Sequence, residues 1–281
     1  MPIKILTLNI WHDAGPWPAR VSLIRHWLER LDPDLIALQE VVRGEGFDQL
    51  AQVVQGRSYH LDFVKAIPFW KEPALAFGNA VASRWPVRSR HELRLPDCTD
   101  YQLRAALTVG IEAPCGTLFF TSTHLDWEHD RGDVREQQVM ALYDHVAGLQ
   151  GRSGFPPIIA GDMNAEPGSD EIRFLTGLHS LGGRRVYMVD AWRAAGDGGP
   201  GYTWSNRNAY ARANLELDRR IDYIFAGTPR DDGLGHVERC QVVCDQEQAG
   251  VWPSDHFGIY AELRLDPRPP GTRPAWRASQ P

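Results

Sequence analysis

Lysine is nearly missing from this chain of 281 residues: it occurs only at Lys4, Lys65 and Lys71, and every other fixed positive charge is arginine. That bias reads first as the habit of a GC-rich genome and second as a means of phosphate recognition. Acid exceeds base, for a formal net charge of −6. A duplex-binding protein usually carries a basic excess along one face, so the whole-chain balance argues against broad nucleic-acid binding. Cysteine is sparse too, at Cys98, Cys115, Cys240 and Cys244. No CxxC pair is present and no histidine stands at zinc-finger spacing, so a structural zinc site is excluded. A chain this long needs no disulfide staples, and free, mostly buried thiols are expected. No apolar run approaches the length of a membrane-spanning helix. Met1-Pro2-Ile3-Lys4 leads straight into Ile5-Leu6-Thr7-Leu8 without the pattern of a secretory leader, so a cytoplasmic location is expected.

The hydrophobic content, 43%, supports a sizeable core. Ile3 to Ile10 reads as a buried strand. Ala19 to Arg30 reads as an amphipathic helix with Val21, Ile24, Trp27, Leu28 and Leu31 along one side. Asp32-Pro33-Asp34 ends that helix, and Leu35 to Leu38 forms a second strand. Strand–helix–strand is the mark of an α/β domain. Further strands are expected at Ala80–Ser83, Leu103–Ile111, Leu118–Thr123, Pro157–Ala160, Tyr202–Trp204, Ile221–Phe225, Val237–Val243 and Ile259–Leu265, with a helix over Val134–Leu149. Gly196 to Arg220 reads as a long loop, with function and simple insertion equally weighted. One domain over residues 1–265 is expected, followed by a disordered Pro/Arg-rich tail over 266–281.

Polar residues cluster where these strands run out. Pro157-Ile158-Ile159-Ala160 exits through Gly161, and on an extended end Asp162 and Asn164 face one small volume. Asp can accept a proton from water, and Asn can hold that water without adding charge; taken alone, the four residues fit an ordinary Asx turn better, by roughly two to one. Asp255 and His256 precede another strand and can meet a hard cation and a phosphate oxygen respectively. Asp222 sits in an apolar strand, where a carboxylate is costly unless paired; a histidine ring is its natural partner. Glu40 and Asn9 end the first two strands and offer only oxygen, which suits Mg²⁺ or Mn²⁺ better than zinc. His124 closes another strand.

Taken in order, Leu-Asn-Ile-Trp around Asn9, Leu-Gln-Glu-Val around Glu40, Ser-Thr-His-Leu around His124, Gly-Asp-Met-Asn, Arg-Ile-Asp-Tyr-Ile-Phe and Ser-Asp-His-Phe-Gly resemble the motif series of the endonuclease/exonuclease/phosphatase superfamily. Arg135 and Gln138 match an Arg-x-x-Gln pattern common there. The resemblance spans about residues 3 to 265. It implies a DNase I-like α+β fold, a four-layer α-β-β-α sandwich of two mixed β-sheets with helices on the outer faces. It also implies hydrolysis of phosphodiesters or phosphomonoesters with Mg²⁺ or Mn²⁺. Carried over by motif, Glu40 is the principal metal ligand, helped by Asn9 and Asp255. Asp162 orients or activates water beside Asn164, His256 contacts the phosphate and is oriented by Asp222, and His124 stabilises the phosphate or aids the leaving group.

Several subfamily patterns differ. Apurinic-site endonucleases carry a tyrosine where His124 stands, inositol polyphosphate phosphatases carry Trp-Cys-Asp-Arg where this chain has Arg-Ile-Asp-Tyr, and sphingomyelinases are generally secreted. The Thr-His-Leu, Arg-x-x-Gln and Ser-Asp-His elements also look like those of the tyrosyl-DNA phosphodiesterases. Trp11, Trp127 and Trp252 each lie within three residues of a motif and are expected at the mouth of the site, with Arg135, to hold substrate; packing of loops is the alternative for the tryptophans. Asp126, Glu128, His129 and Asp130 are expected to form a solvated acidic loop rather than a second metal site. The expected partner is a phosphate-ester substrate, with nucleic acid possible but not indicated by charge. No integral membrane contact is expected, and the chain is expected to act as a monomer.

Overall fold

The structure, a computed structural model, describes residues 2–96, 103–151 and 154–267. In chain order its elements are β1 (Pro2–Asn9), α1 (Trp17–Leu31), β2 (Leu35–Gly44), β3 (Phe47–Asp48), α2 (Gln49–Val53), β4 (His60–Phe69), β5 (Glu72–Ser83), β6 (Val87–Arg94), β7 (Ala105–Ala113), β8 (Gly116–His124), α3 (Gly132–Gln150), β9 (Ile158–Asp162), α4 (Asp170–Leu175), β10 (Val189–Asp190), α5 (Ala191–Ala195), α6 (Ala209–Arg212), β11 (Asp222–Ala226), β12 (Val237–Val243) and β13 (Gly258–Arg264).

Two sheets result. One runs β12-β13-β1-β2-β5-β4, with β3 appended to β2; the other runs β10-β11-β9-β8-β7-β6. Each sheet has one parallel pair at its centre, β1 with β2 and β8 with β9, and antiparallel neighbours outside it. Parallel neighbours need a long crossover. Helices α1 and α3 supply it, so each sheet centres on a strand–helix–strand unit.

Side-chain alternation decides what fills the space between the sheets. On β1, Ile3 and Ile5 face inward while Leu6 and Leu8 face α1; on β9, Ile158 and Ala160 face inward while Ile159 faces α3. Inward residues of both sheets form one core: Ile3, Ile5, Leu35 and Ala37 meet Leu107, Val109, Phe120, Ile158 and Ile224. Val21, Ile24 and Leu28 of α1 cover one outer face, and Val139, Leu142 and Val146 of α3 cover the other. The expected four-layer sandwich of two mixed sheets is the observed one.

The expected elements differ at the margins. Tyr202–Trp204 does not form a strand; Trp204 makes only isolated bridges, to Arg219 and to His256. β7 begins at Ala105 rather than Leu103. β4, β6 and most of β5 were not anticipated. β6 reads Val-Arg-Ser-Arg-His-Glu-Leu-Arg with no fully buried position, an edge strand protected by charge. Cys115, Cys240 and Cys244 are free, and the latter two are buried; Cys98 lies outside the described residues. So does residue 268 onward, where most of the expected tail falls. Among the described residues no helix is long and apolar enough to cross a membrane.

Candidate active site

Four inward-facing rows end on a polar group at the same end of the sandwich. Ile3-Ile5-Thr7 ends on Asn9, Phe120-Ser122 on His124, and Ile158-Ala160 on Asp162. The antiparallel β11 begins with Asp222, directly opposite Asp162 in register, while His124 lies opposite Asp162 on the other side. Alternation therefore delivers these side chains to one volume between the sheets. A buried polar layer lies just beneath: Thr7 donates to Gln39 Oε1 (3.3 Å), and Gln39 Nε2 donates to Ser122 Oγ (3.2 Å) across the two sheets.

Glu40 breaks the alternation. In register with Gln39 inward, Glu40 would face outward. Instead it takes a left-handed backbone (φ 59°), and the β2–β5 pairing shifts between Leu38 and Val41. Such a bulge re-aims one side chain, and Glu40 Oε1 accepts from Asn9 Nδ2 at 3.2 Å. At Gly161 the need for glycine is steric: an added Cβ would lie 2.0 Å from the Thr123 carbonyl oxygen, so only glycine lets β8 and β9 close where His124 and Asp162 emerge.

Asp162 is the hub. Its Oδ2 accepts from Asn9 Nδ2 (3.0 Å) and lies 3.4 Å from His124 Nε2 and 3.8 Å from His256 Nε2; its Oδ1 accepts from the Asn164 backbone (2.9 Å). Burial alone would raise this carboxyl, but the flanking histidines and the donated hydrogen bonds outweigh it and hold Asp162 below the ordinary carboxylate range. His124 is pushed down to about 3, first by burial and then by Arg104, whose Nη1 donates to His124 Nδ1 at 3.2 Å. A guanidinium cannot accept, so this bond fixes a neutral ring with its proton on Nε2, facing Asp162. His256 is the opposite case. Burial opposes its charge, yet Asp222 and Asp162 raise it well above the usual imidazole value. Its Nδ1 bonds Asp222 Oδ2 at 2.9 Å. Hence two histidines share one carboxylate, one neutral and one cationic.

Asp162, Asp222 and His256 present ligand atoms within 4.8 Å of one another. His256 Nδ1 already bonds Asp222 Oδ2, so this trio reads as a hydrogen-bonded chain of side chains. The oxygen donors are elsewhere. Burial raises Glu40, and burial followed by the charge of Glu40 raises Asp255 to about 6 despite His256. Two carboxyls short of positive charge in one cavity, next to the Asn9 amide, fit a hard divalent cation held by oxygen.

Residues far from the chemistry hold these pieces in place. Arg20 is fully buried and spends all five N–H groups on carbonyls: Ile10, Trp11, His12 and Ala14 from the loop after β1, and Pro253 from the loop that carries Asp255 and His256. Ser254 Oγ donates to the Asn9 carbonyl (2.7 Å), and Asn208 Nδ2 donates to the carbonyls of Ser254 (2.7 Å) and Asp255 (3.0 Å). Trp11 and His12 are both left-handed (φ 54° and 32°), a strained pair kept by those bonds. Arg20, Arg104 and Asn208 were not singled out from sequence. Their partners are backbone atoms or distant side chains, which no local pattern announces.

A cavity of about 560 Å³ opens over the hub, lined by Glu40, Arg104, His124, Asp162, Asn164, Asp255 and His256. Trp11 and Trp127 line it as expected. Trp252 does not: it is buried against Phe257, with ring centroids 5.7 Å apart, and Trp70 and Trp204 take the place expected of it. Arg135 is likewise no part of the lining. It is buried, bonds Glu171 Oε1 (2.7 Å) and donates to the Glu128 carbonyl (2.6 Å), bracing the loop after His124. Gln138 Oε1 accepts from the Asp126 backbone (2.9 Å) in the same brace. Asp126 departs from the expected solvated loop, being fully buried and accepting from Glu128 N and Arg131 Nη1. His129 and Asp130 are exposed, and neither these residues nor Glu128 form a second cation cluster among the described residues.

Solved structures of the same architecture are numerous. The endonuclease/exonuclease/phosphatase from Beutenbergia cavernae superposes with a TM-score of 0.71 at 25% identity, over 97% of this chain and 74% of that one. The corresponding protein from Bacteroides vulgatus gives 0.73 at 20% identity, over 95% and 100%. Truncated TDP2 from Caenorhabditis elegans gives 0.71 at 19% identity, over 94% and 97%. No curated protein matches the chain by sequence. The sequence profile of one family matches residues 6–256, from the first strand through His256, and by that match the chain belongs to the Endonuclease/Exonuclease/phosphatase family.

Proposed function

We propose that this protein hydrolyses a phosphodiester by in-line attack of a water held at Asp162, with Mg²⁺ or Mn²⁺ bound at Glu40, Asn9 and Asp255. One observation carries the reading: a single buried oxygen, Asp162 Oδ2, is approached by His124 Nε2, His256 Nε2 and the Asn9 amide, directly below an open cavity. A carboxylate kept ionised accepts a hydrogen bond from water and aims its lone pair; because its basicity is low, orientation is its larger contribution. His256 donates Nε2–H to a non-bridging phosphate oxygen and offsets charge that grows in the transition state, with Asp222 fixing its ring. His124 donates from Nε2 without adding charge, which suits the oxygen that departs. Asn164 flanks the water. The metal, when bound, supplies Lewis-acid stabilisation of the phosphate oxygens.

A diester rather than a monoester is favoured by the cavity walls. Trp11, Trp70, Trp127 and Trp204 all line a cavity of about 560 Å³, more than a phosphate alone fills, which leaves apolar wall and room for substituents on the phosphate. The test is turnover of bis-(p-nitrophenyl) phosphate beside p-nitrophenyl phosphate with each metal. The diester is expected to be the better substrate, and Asp162→Asn is expected to lower kcat by about 10²–10⁴-fold with the fold intact. Full activity in that variant would remove Asp162 from the water site. Faster turnover of the monoester would favour phosphomonoesterase activity, and hydrolysis of neither ester would favour a binding module.

A further inference from the structure

The cavity contains a row of side chains that the hydrolytic step does not use. Trp204 makes antiparallel bridges to His256 on one side and to Arg219 on the other. Residues directly opposed across antiparallel bridges point to the same face, and all three line the cavity. Their side chains continue that order. Trp204 meets His256 edge-on at 5.0 Å between ring centroids, and the Arg219 guanidinium carbon lies 6.0 Å from the centre of the Trp204 ring. The backbone of Arg219 is pinned by Thr203 N and Trp204 N donating to its carbonyl (both 3.0 Å) and by its own N–H donating to the Trp204 carbonyl (2.8 Å). Two strand spacings place Arg219 roughly 10 Å of backbone from His256.

Arg219 is therefore a second fixed cation on the wall that receives the phosphate. Its Nε is buried and has no hydrogen-bond partner, and one terminal nitrogen pairs with Glu216 Oε2. The other Glu216 oxygen lies 3.4 Å from His129 Nε2. Glu216 and His129 also line the cavity. Glu216 rides on a loop whose side chains are turned outward: Leu215, in the left-handed region at φ 60°, is 92% exposed and Leu217 is 81% exposed. A hydrogen bond from Asn206 Nδ2 to the Glu216 carbonyl (2.8 Å) holds its backbone. A carboxylate thus occupies the place at which the row ends.

From this geometry we infer that Arg219 is a specificity-determining residue for a second anionic group on the substrate, and that Glu216 is the resident carboxylate which that group replaces. The inference rests on the phosphoester reading for the identity of the first anion. The substrate class is a phosphate ester bearing a further phosphate or carboxylate several bonds away, on the side of the cavity walled by Trp204. An anion there gains a charge-assisted contact with the guanidinium. Glu216 exchanges that contact for water, which costs little at its part-exposed position.

The test compares two phosphonates of equal chain length, 5-phosphonopentanoate and pentylphosphonate, by titration calorimetry with Mg²⁺ present. Wild-type protein is expected to prefer the carboxylated ligand by about tenfold, the scale of one charge-assisted contact. Arg219→Ala is expected to bring the ratio near one, Arg219→Lys to restore part of it, and Glu216→Gln to raise it. A wild-type ratio near one, or a ratio unchanged in Arg219→Ala, overturns the assignment of Arg219. An unchanged ratio in Glu216→Gln overturns the role of Glu216. Hydrolysis of bis-(p-nitrophenyl) phosphate is measured in parallel. Turnover without preference removes only the second-anion site; preference without turnover removes the phosphoesterase reading and leaves the anion row standing.

Discussion

At His124 a single hydrogen bond sets a protonation state. Arg104 occupies Nδ1, and together with burial its charge keeps the ring neutral down to about pH 3. The unfolded chain would bind a proton at this residue near pH 6.5. Between those values the unfolded state holds more protons than the folded one, so this residue makes stability fall as pH falls below about 6.5. His124→Gln, which keeps an N–H donor but does not titrate, is expected to narrow its gap in melting temperature to wild type as pH is lowered from 7 to 5. Parallel pH profiles for the two proteins would show that the ring is not held neutral. His256 has the contrary design, with Asp222 and Asp162 keeping it cationic, so the two rings are not interchangeable although both point at Asp162.

Among the elements, the loop after β1 and the loop before β13 behave as one unit because Arg20 joins them. Five carbonyls converge on one guanidinium that is fully buried. Arg20→Met removes a donor from all five, although Trp11 keeps its bond from Ala14 N and His12 its bond from Gln49 Nε2, and is expected to cost about 3–5 kcal/mol, read from the urea midpoint. A loss below about 1 kcal/mol would mean that the loops are held by other contacts. This is also where sequence and structure part company. β1, α1, β8, α3, β9 and β11 are legible because alternation and helical spacing are carried by strongly apolar residues, and Asn9, His124, Asp162 and Asp222 are legible because each interrupts such a run. β4 and β6 are illegible because edge strands bury little and carry charge. Trp252, beside one motif, and Arg135, within another, were drawn into packing, while Trp204 reached the cavity from an expected strand that forms only isolated bridges and Arg219 from a stretch that reads as loop. Adjacency along the chain fixes neither the direction of a side chain nor which loop it braces.

For the molecule as a whole, the Asn9 amide joins the two sheets at the site. Glu40 comes from the sheet of β1 and β2, Asp162 from the sheet of β8 and β9, and Asn9 bridges them by bonding both. On the proposed reading, an ion held by Glu40 and Asp255 would need β2 and the loop before β13 brought together by the fold, so it would stabilise the native state by mass action. Mg²⁺ at about 100 times its Kd is expected to add about 2.7 kcal/mol, or roughly 5 °C in melting temperature, and chelation is expected to reverse the gain. Glu40→Gln is expected to abolish most of the shift. A shift of equal size in that variant would place the ion elsewhere.

The antiparallel pairing of β1 with β13 has a consequence for biosynthesis. β1 lies between β2 and β13, and its register with β13 runs from Pro2 opposite Arg264 to Thr7 opposite Ile259. One side of β1 therefore keeps its amide and carbonyl groups unpaired until β13 has been translated. Between the translation of β1 and that of β13 the nascent chain carries an open β edge, a condition that favours chaperone capture and slow, late closure. Ser254, Asp255 and His256 arrive just ahead of that closing strand, so assembly of the polar cluster around Asp162 and completion of the sheet are one event.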